Sequence, residues 1–158
     1  DGILELMVTF HKKESKRDLI AGGDGKLRNV CTELVIGMTY KGLDVIVAEE
    51  NDRLVGYTLL NNARPDYPNS LVIEEIYVAP DSRRRGYHGK ITRRAILYAR
   101  ARNIGNIYTE VNESNVANLR ANERVGFRVS KREGRDYKYY LVMRIDIPTK
   151  PTMALAHQ

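Results

Sequence analysis

The segment Arg83-Arg84-Arg85-Gly86-Tyr87-His88-Gly89-Lys90 gathers positive charge and glycine between a strand-like run, IEEIYVAP, and a helix-like run, ITRRAILYARA. That order has a chemical meaning. The first turn of a helix carries backbone N–H groups without intrahelical partners, at the positive end of the helix dipole. Glycine lets the backbone approach an anion closely and take dihedrals that other residues resist. Together these features make a seat for phosphate oxygens. Arg83, Arg84 and Arg85 add donors in the fork geometry that matches such oxygens. An arginine run alone reads as solvated surface, and its place between strand and helix is what makes this one a candidate anion site. A second glycine-rich stretch, IAGGDGKLRN, fails as a phosphate loop: the glycine spacing before Gly25-Lys26 is wrong, and Leu27 stands where Ser or Thr is needed.

The elements that must position the loop follow from periodicity. LDVIVAEE and LVGYTLLNNA are β-rich runs parted by a short hairpin turn, ENDR. ARPDYPNS is a loop by its prolines and asparagine. LVIEEIYVAP is a third strand, ended by Pro80. Beyond the arginines, Ile91, Ala95, Ile96, Tyr98 and Ala99 fall on one side of a helix, with Arg93, Arg94, Arg100 and Arg102 outward. NIYTEV is a short strand, and SNVANLRANERVGF is a helix stopped by Gly126. FRVSK and YKYYLVMRIDI form a hairpin around REGRD. Before these, a helix spans Arg28 to Tyr40 with a less regular pattern. The order predicts an α/β domain around a largely antiparallel sheet, one domain over residues 1–147 with a tail over 148–158. Residues 1–42 carry no pattern we assign to a role.

Composition bounds the rest. A chain of 158 residues suits one domain and can bury a core without staples. Cys31 is the single cysteine, so no intrachain disulfide forms, which fits a reducing, cytoplasmic setting. We read Cys31 as a small buried apolar residue. No apolar run approaches the ~20 residues of a membrane span, and the start DGILELMVTFHKK lacks the basic lead and cleavage site of a signal peptide. Asp1 is consistent with a processed product or an excised domain. A formal charge of +6 favours anionic partners. No metal is expected, because His11, His88 and His157 are too scattered to share an ion.

IEEIYVAPDSRRRGYHGKI followed by NESNVANLRANERVGF resembles the GNAT superfamily of acetyl-CoA-dependent N-acetyltransferases. That family's pyrophosphate loop reads Gln/Arg-x-x-Gly-x-Gly/Ala. Arg83 through Tyr87 fits it, with His88 in place of the last small residue and Gly89 one position later. The second motif, Asn then helix then Gly-Phe, fits Asn115 through Phe127. The resemblance covers about residues 43–146.

The resemblance implies a GNAT-like mixed, mostly antiparallel central sheet flanked by helices, splayed between the cofactor-binding strand and the next. Acetyl-CoA would be the co-substrate. The backbone of Ile76, Tyr77 and Val78 would face its pantetheine arm, the amides from Arg84 to Gly89 would hold its pyrophosphate, and Asn115 would touch the arm. The reaction implied is attack of an amine on the acetyl thioester. A lysine-type amine has a pKa of ~10.4, so a general base is useful. Glu74 and Glu75 are the candidates, and Glu74 sits where several small-amine family members carry theirs. Strand alternation sends the two to opposite faces, unless a bulge intervenes. Many relatives place a tyrosine acid four residues before the Gly of Gly-Phe. Here that residue is Asn122, which leaves water, or a tyrosine such as Tyr139 or Tyr140, to serve the leaving thiolate.

Glu74, Glu75, Glu110 and Glu113 fall near the predicted cleft, which points to a cationic acceptor amine, small-molecule or protein. Two other readings compete. One is a CoA-binding protein without turnover, suggested by Asn122 and His88. The other is a basic nucleic-acid-binding module on the arginine face of the helix, disfavoured because that segment lacks interleaved aromatics. No membrane partner is implied, and oligomeric state is open, a homodimer among the options.

Overall fold

The computed structural model describes residues 43–148. The helix read over 28–40, Cys31, His11, His157 and the tail beyond residue 148 lie outside them. The described chain runs β1 (Asp44–Glu50), β2 (Arg53–Asn61), β3 (Ser70–Val78), a 3-10 turn (Pro80–Ser82), α1 (Tyr87–Ala101), β4 (Asn106–Asn112), α2 (Val116–Val125), β5 (Arg128–Arg135) and β6 (Lys138–Asp146). This is the order the periodicity predicts. The six strands form one sheet in the order β1-β2-β3-β4-β6-β5. Every neighbouring pair is antiparallel except β3 with β4, which is parallel. A parallel pair needs a crossover, and α1 supplies it.

One face of the sheet meets the helices. Leu60, Leu71, Ile73, Ile107, Val111 and Met143 form a common core with Ala95, Ile96 and Ala99 of α1 and with Phe127. The small residues at 95 and 99 let α1 lie close to the strands, while Arg93, Arg94, Arg100 and Arg102 are exposed as expected. α2 ends at Gly126, whose φ of 105° is the left-handed stop that turns Phe127 into the core.

The two tight hairpins, β1–β2 and β5–β6, turn on two residues of positive φ, Asn51-Asp52 (50° and 58°) and Asp136-Tyr137 (48° and 61°), the dihedrals that match the twist of paired strands. The second turn corrects the loop expected over REGRD. β5 stays paired through Arg135↔Lys138, so the strand includes residues read as turn.

Candidate active site

The decisive geometry lies between β3 and β4. Their ladder runs from Ser70↔Asn106 to Ile73↔Thr109 and stops there. Thr109 Oγ1 donates to the Ile73 carbonyl at 3.3 Å as a last tie. Beyond it β3 continues to Val78 and β4 to Asn112. Each keeps its outer partner: β3 pairs with β2 as far as Gly56↔Val78, and β4 pairs with β6 as far as Asn112↔Tyr140. The two strands therefore part like a fork, each held on its far side. Ile76, Tyr77 and Val78 lie on the β3 arm. A strand edge without a neighbour is a hydrogen-bonding template for an extended ligand.

The arginine loop follows the β3 arm. Arg84 has a φ of 62° and Gly86 one of 81°, and Gly86 is the N-cap of α1 without a side-chain cap. The first α-helical bond runs from Lys90 N–H to the Gly86 carbonyl at 3.1 Å. None of the amides from Arg84 to Gly89 donates to another described residue. A run of such donors at a helix start is what the sequence motif anticipates. The three arginines behave differently from one another. Arg85 makes a two-pronged pair with Glu50 of β1, one bond at 2.6 Å. Arg83 Nε donates to the Val78 carbonyl at 3.0 Å. Arg84 hydrogen-bonds to no described side chain and is exposed. Glu50 is held below the usual carboxylate range first by the Tyr87 hydroxyl and then by Arg85.

His88 turns away from the loop toward α2. Asn118 Oδ1 accepts from Asn122 Nδ2 at 3.1 Å and lies 3.1 Å from His88 Nε2. An oxygen shared in this way can only accept, so the neutral imidazole carries its proton on Nε2. Nδ1 is then a buried lone pair without a described partner. Burial pushes the imidazole pKa down, opposed by its bond to Asn118. The unfolded chain thus binds this proton more readily than the folded one. The His88 contribution is intact above the ordinary pKa of ~6.5 and is lost as pH falls below it. We expect the melting temperature of the parent to drop more steeply from pH 7 to pH 5 than that of His88→Gln. Parallel thermal melts check this, and equal slopes would refute it.

Asn115 caps α2 by accepting from the Asn118 amide at 3.2 Å. Asn122 is 2% exposed. Its other contact is the Met143 sulfur at 3.9 Å. Tyr139 and Tyr140 stand on β6 beside Arg132 and Arg135, with the Tyr139 ring 3.6 Å from the Arg132 guanidinium.

The glutamates hold the main departure from expectation. The β2–β3 register passes from Leu60↔Ile73 to Leu59↔Glu75, so Glu74 is the extra residue of a β-bulge. Val72 and Glu75 then face the same side, opposite Asn61 and Leu59, whereas Ile73 and Ile76 share the helix side. Glu74 also reaches that first side, where Asn61 Nδ2 donates to its Oε1 at 2.9 Å. Glu75 accepts from the Tyr57 hydroxyl. The two carboxylates are therefore on one face of the sheet, not on opposite faces.

The glutamate cluster is also smaller than expected. Glu74 and Glu110 are joined by Arg64, whose Nη1 lies 3.2 Å from Glu74 Oε2 and Nη2 3.4 Å from Glu110 Oε1. Glu110 also accepts from Tyr67 at 3.1 Å and Arg135 at 2.6 Å. Burial, then the Glu110 carboxylate, push the Tyr67 phenol up to about 12. Glu113 is paired with Arg132 instead, at 2.8 and 3.0 Å. Sequence reasoning missed Arg64, Tyr67, Asn61 and Asn118. The first two sit in the segment read only as a proline-marked loop.

A family model described as the acetyltransferase (GNAT) family matches residues 31–127. The chain belongs to the GNAT family. It is an acyltransferase by that membership, and its forked sheet is the splayed fold that the motifs imply. Solved structures agree on the fold. An N-acetyltransferase from Staphylococcus aureus Mu50 superposes with a TM-score of 0.71 at 17% identity, over 94% of this chain and 93% of its own. The ribosomal-protein-S18-alanine N-acetyltransferase of Escherichia coli gives 0.66 at 16%, over 78% and 81%. yncA of Salmonella typhimurium, solved with its cofactor acetyl-CoA, gives 0.64 at 19%, over 82% and 78%. No curated protein sequence matches this GNAT chain. Among its described residues no helix is long and apolar enough to cross a membrane, and no cluster of ligating side chains could hold a metal.

Proposed function

We propose that this protein transfers the acetyl group of acetyl-CoA to a cationic primary amine by direct attack, with Glu74 as general base. The observation that carries the reading is the fork, where the β3–β4 ladder ends before Glu74, beside a helix start whose amides donate to no described residue. In this reading pantetheine lies along Ile76, Tyr77 and Val78, and the diphosphate sits on the amides from Arg84 to Gly89. Arg84, exposed and bonded to no described side chain, adds charge there. Asn115 flanks the arm.

The ammonium of the acceptor gives a proton to Glu74, directly or through water. The freed lone pair forms the C–N bond at the thioester carbonyl. A backbone N–H near Val78 stabilises the oxyanion. The C–S bond then breaks and CoA leaves as thiolate, which a thiol pKa of ~8.5 allows without a tyrosine acid. The nitrogen, still protonated after attack, gives its second proton to that thiolate or to water. Binding both reactants side by side supplies much of the remaining rate. Acidic Glu74 and Glu110 favour a positively charged acceptor.

The buried Asn122 favours a second reading, CoA binding without turnover. Two measurements separate them. Acetyl-CoA at 100 times its dissociation constant should stabilise the protein by about 2.7 kcal/mol, seen as a raised melting temperature. Thiol release should then appear with cationic amines and not with neutral or anionic ones. A shift without release would favour the second reading. No shift at millimolar acetyl-CoA would overturn both.

A further inference from the structure

We propose that Arg64 is a built-in cation that occupies the acceptor end of the fork, and that a positively charged acceptor engages Glu74 by displacing it. The inference rests on the acetyl-transfer reading above.

Glu74 and Glu110 are the first residues of their strands beyond the last ladder pair, Ile73↔Thr109. They are the two carboxylates at the crotch of the fork, and Arg64 bonds to both. Neither oxygen of Glu74 is vacant, since Asn61 holds Oε1 and Arg64 holds Oε2. An ammonium arriving at Glu74 meets a guanidinium first. The position has the features of a cation site already filled: carboxylates on two sides and the Tyr67 ring 5.1 Å below the guanidinium. Hydrogen bonding to Asp66, then the charges of Glu74, Asp66 and Glu110, raise the Arg64 pKa above its ordinary value, so it is always charged.

What carries Arg64 is a loop able to lift. Residues 62–69 join β2 to β3, and all are exposed except Arg64 and Tyr67, which are half-buried. Two backbone ties shape the loop, Ala63 N–H to Asn61 Oδ1 at 2.9 Å and Tyr67 N–H to the Arg64 carbonyl at 3.1 Å. Swinging the loop outward breaks no strand pairing; besides the Arg64 ion pairs it parts the Tyr67 hydroxyl from Glu110, now 3.1 Å apart, and the Tyr67 ring from Tyr108, 4.6 Å between centroids. Arg64 therefore sorts acceptors by charge. A cation replaces it on Glu74 and Glu110, whereas a neutral or anionic molecule leaves the carboxylates with nothing in exchange.

The test compares the parent with Arg64→Ala, each titrated calorimetrically with N-methylguanidinium chloride against sodium chloride of equal ionic strength. We expect at least tenfold tighter binding to Arg64→Ala, and loss of the gain when Glu74→Gln is added. No gain, or a gain that survives Glu74→Gln, overturns the proposal. Arg64→Gln, which keeps length without charge, is read in the same way should the alanine variant fold poorly. A retained melting shift with acetyl-CoA is the fold check. For any amine that turns over, its KM should fall at least fivefold in Arg64→Ala while the KM for acetyl-CoA holds, and a raised amine KM overturns the proposal. If no amine turns over, the acetyl-transfer reading is what fails, and the titration still decides this one.

Discussion

Glu74→Gln is expected to slow acetyl transfer by about 10²–10⁴-fold, the range a positioned general base supplies. The substitution keeps the shape of the side chain and an oxygen for Asn61 Nδ2. It removes the carboxylate proposed to take the proton from the amine. The acetyl-CoA melting shift should not change, because the proposed arm contacts and loop amides lie elsewhere. The bulge makes Glu75→Gln the necessary companion, since Glu75 shares the face and is engaged by Tyr57. Initial rates of thiol release at saturating acetyl-CoA, from pH 6 to pH 9, decide between them. A larger loss in Glu75→Gln would move the base one residue along the strand.

Gly56→Val is expected to cause the largest loss of stability. Gly56 lies where α1 crosses the sheet, paired with Val78 on β3. A Cβ placed there would be 2.7 Å from the Tyr77 carbonyl oxygen and 3.0 Å from Ile91 Cδ1. The first is backbone and cannot swing aside, so helix and strand must separate. Overpacking of this kind costs about 1–3 kcal/mol and sometimes more, at roughly 2–4 °C of melting temperature per kcal/mol for a domain of this size. Acetyl-CoA should bind more weakly as well, because α1 carries the amides proposed for the diphosphate and β3 the backbone proposed for the arm. Gly89→Ala is the control: the nearest atoms its Cβ meets belong to the Arg93 guanidinium, at 3.3 Å, at the end of a flexible side chain. If Gly56→Val melts with the parent, the close seating of α1 on β2 and β3 is wrong.

Periodicity was enough to place the strands and helices, because burial follows it faithfully here. Ile91, Ala95, Ile96 and Ala99 are buried on α1, and Ile107, Thr109 and Val111 alternate inward on β4. The loop and its helix start were legible because glycine and charge stand where a strand gives way to a helix. The side of Glu74 was not legible. Alternation gives a parity only while the register is regular, and the bulge depends on how β2 pairs with β3, which no local pattern encodes. The Asp136-Tyr137 turn was hidden for a related reason: tyrosine is not a residue that advertises a left-handed φ. Arg64 was invisible because its meaning comes from Glu74, ten residues away, and Glu110, forty-six away. Arg85 looked available until the pairing of β1 and β2 set Glu50 beside it.

β5 lies at the rim of the sheet and displays Arg128, Lys131, Arg132 and Arg135, all exposed, a charged fringe that discourages stray strands from docking. The fork presents a different case: Arg83 Nε already holds the Val78 carbonyl on its β3 arm, and the gap opens inward between strands that are each anchored on their outer side. Each arm already belongs to a paired ladder on its far side, so the fork offers an extended ligand one strand edge at a time rather than the rim of a whole sheet.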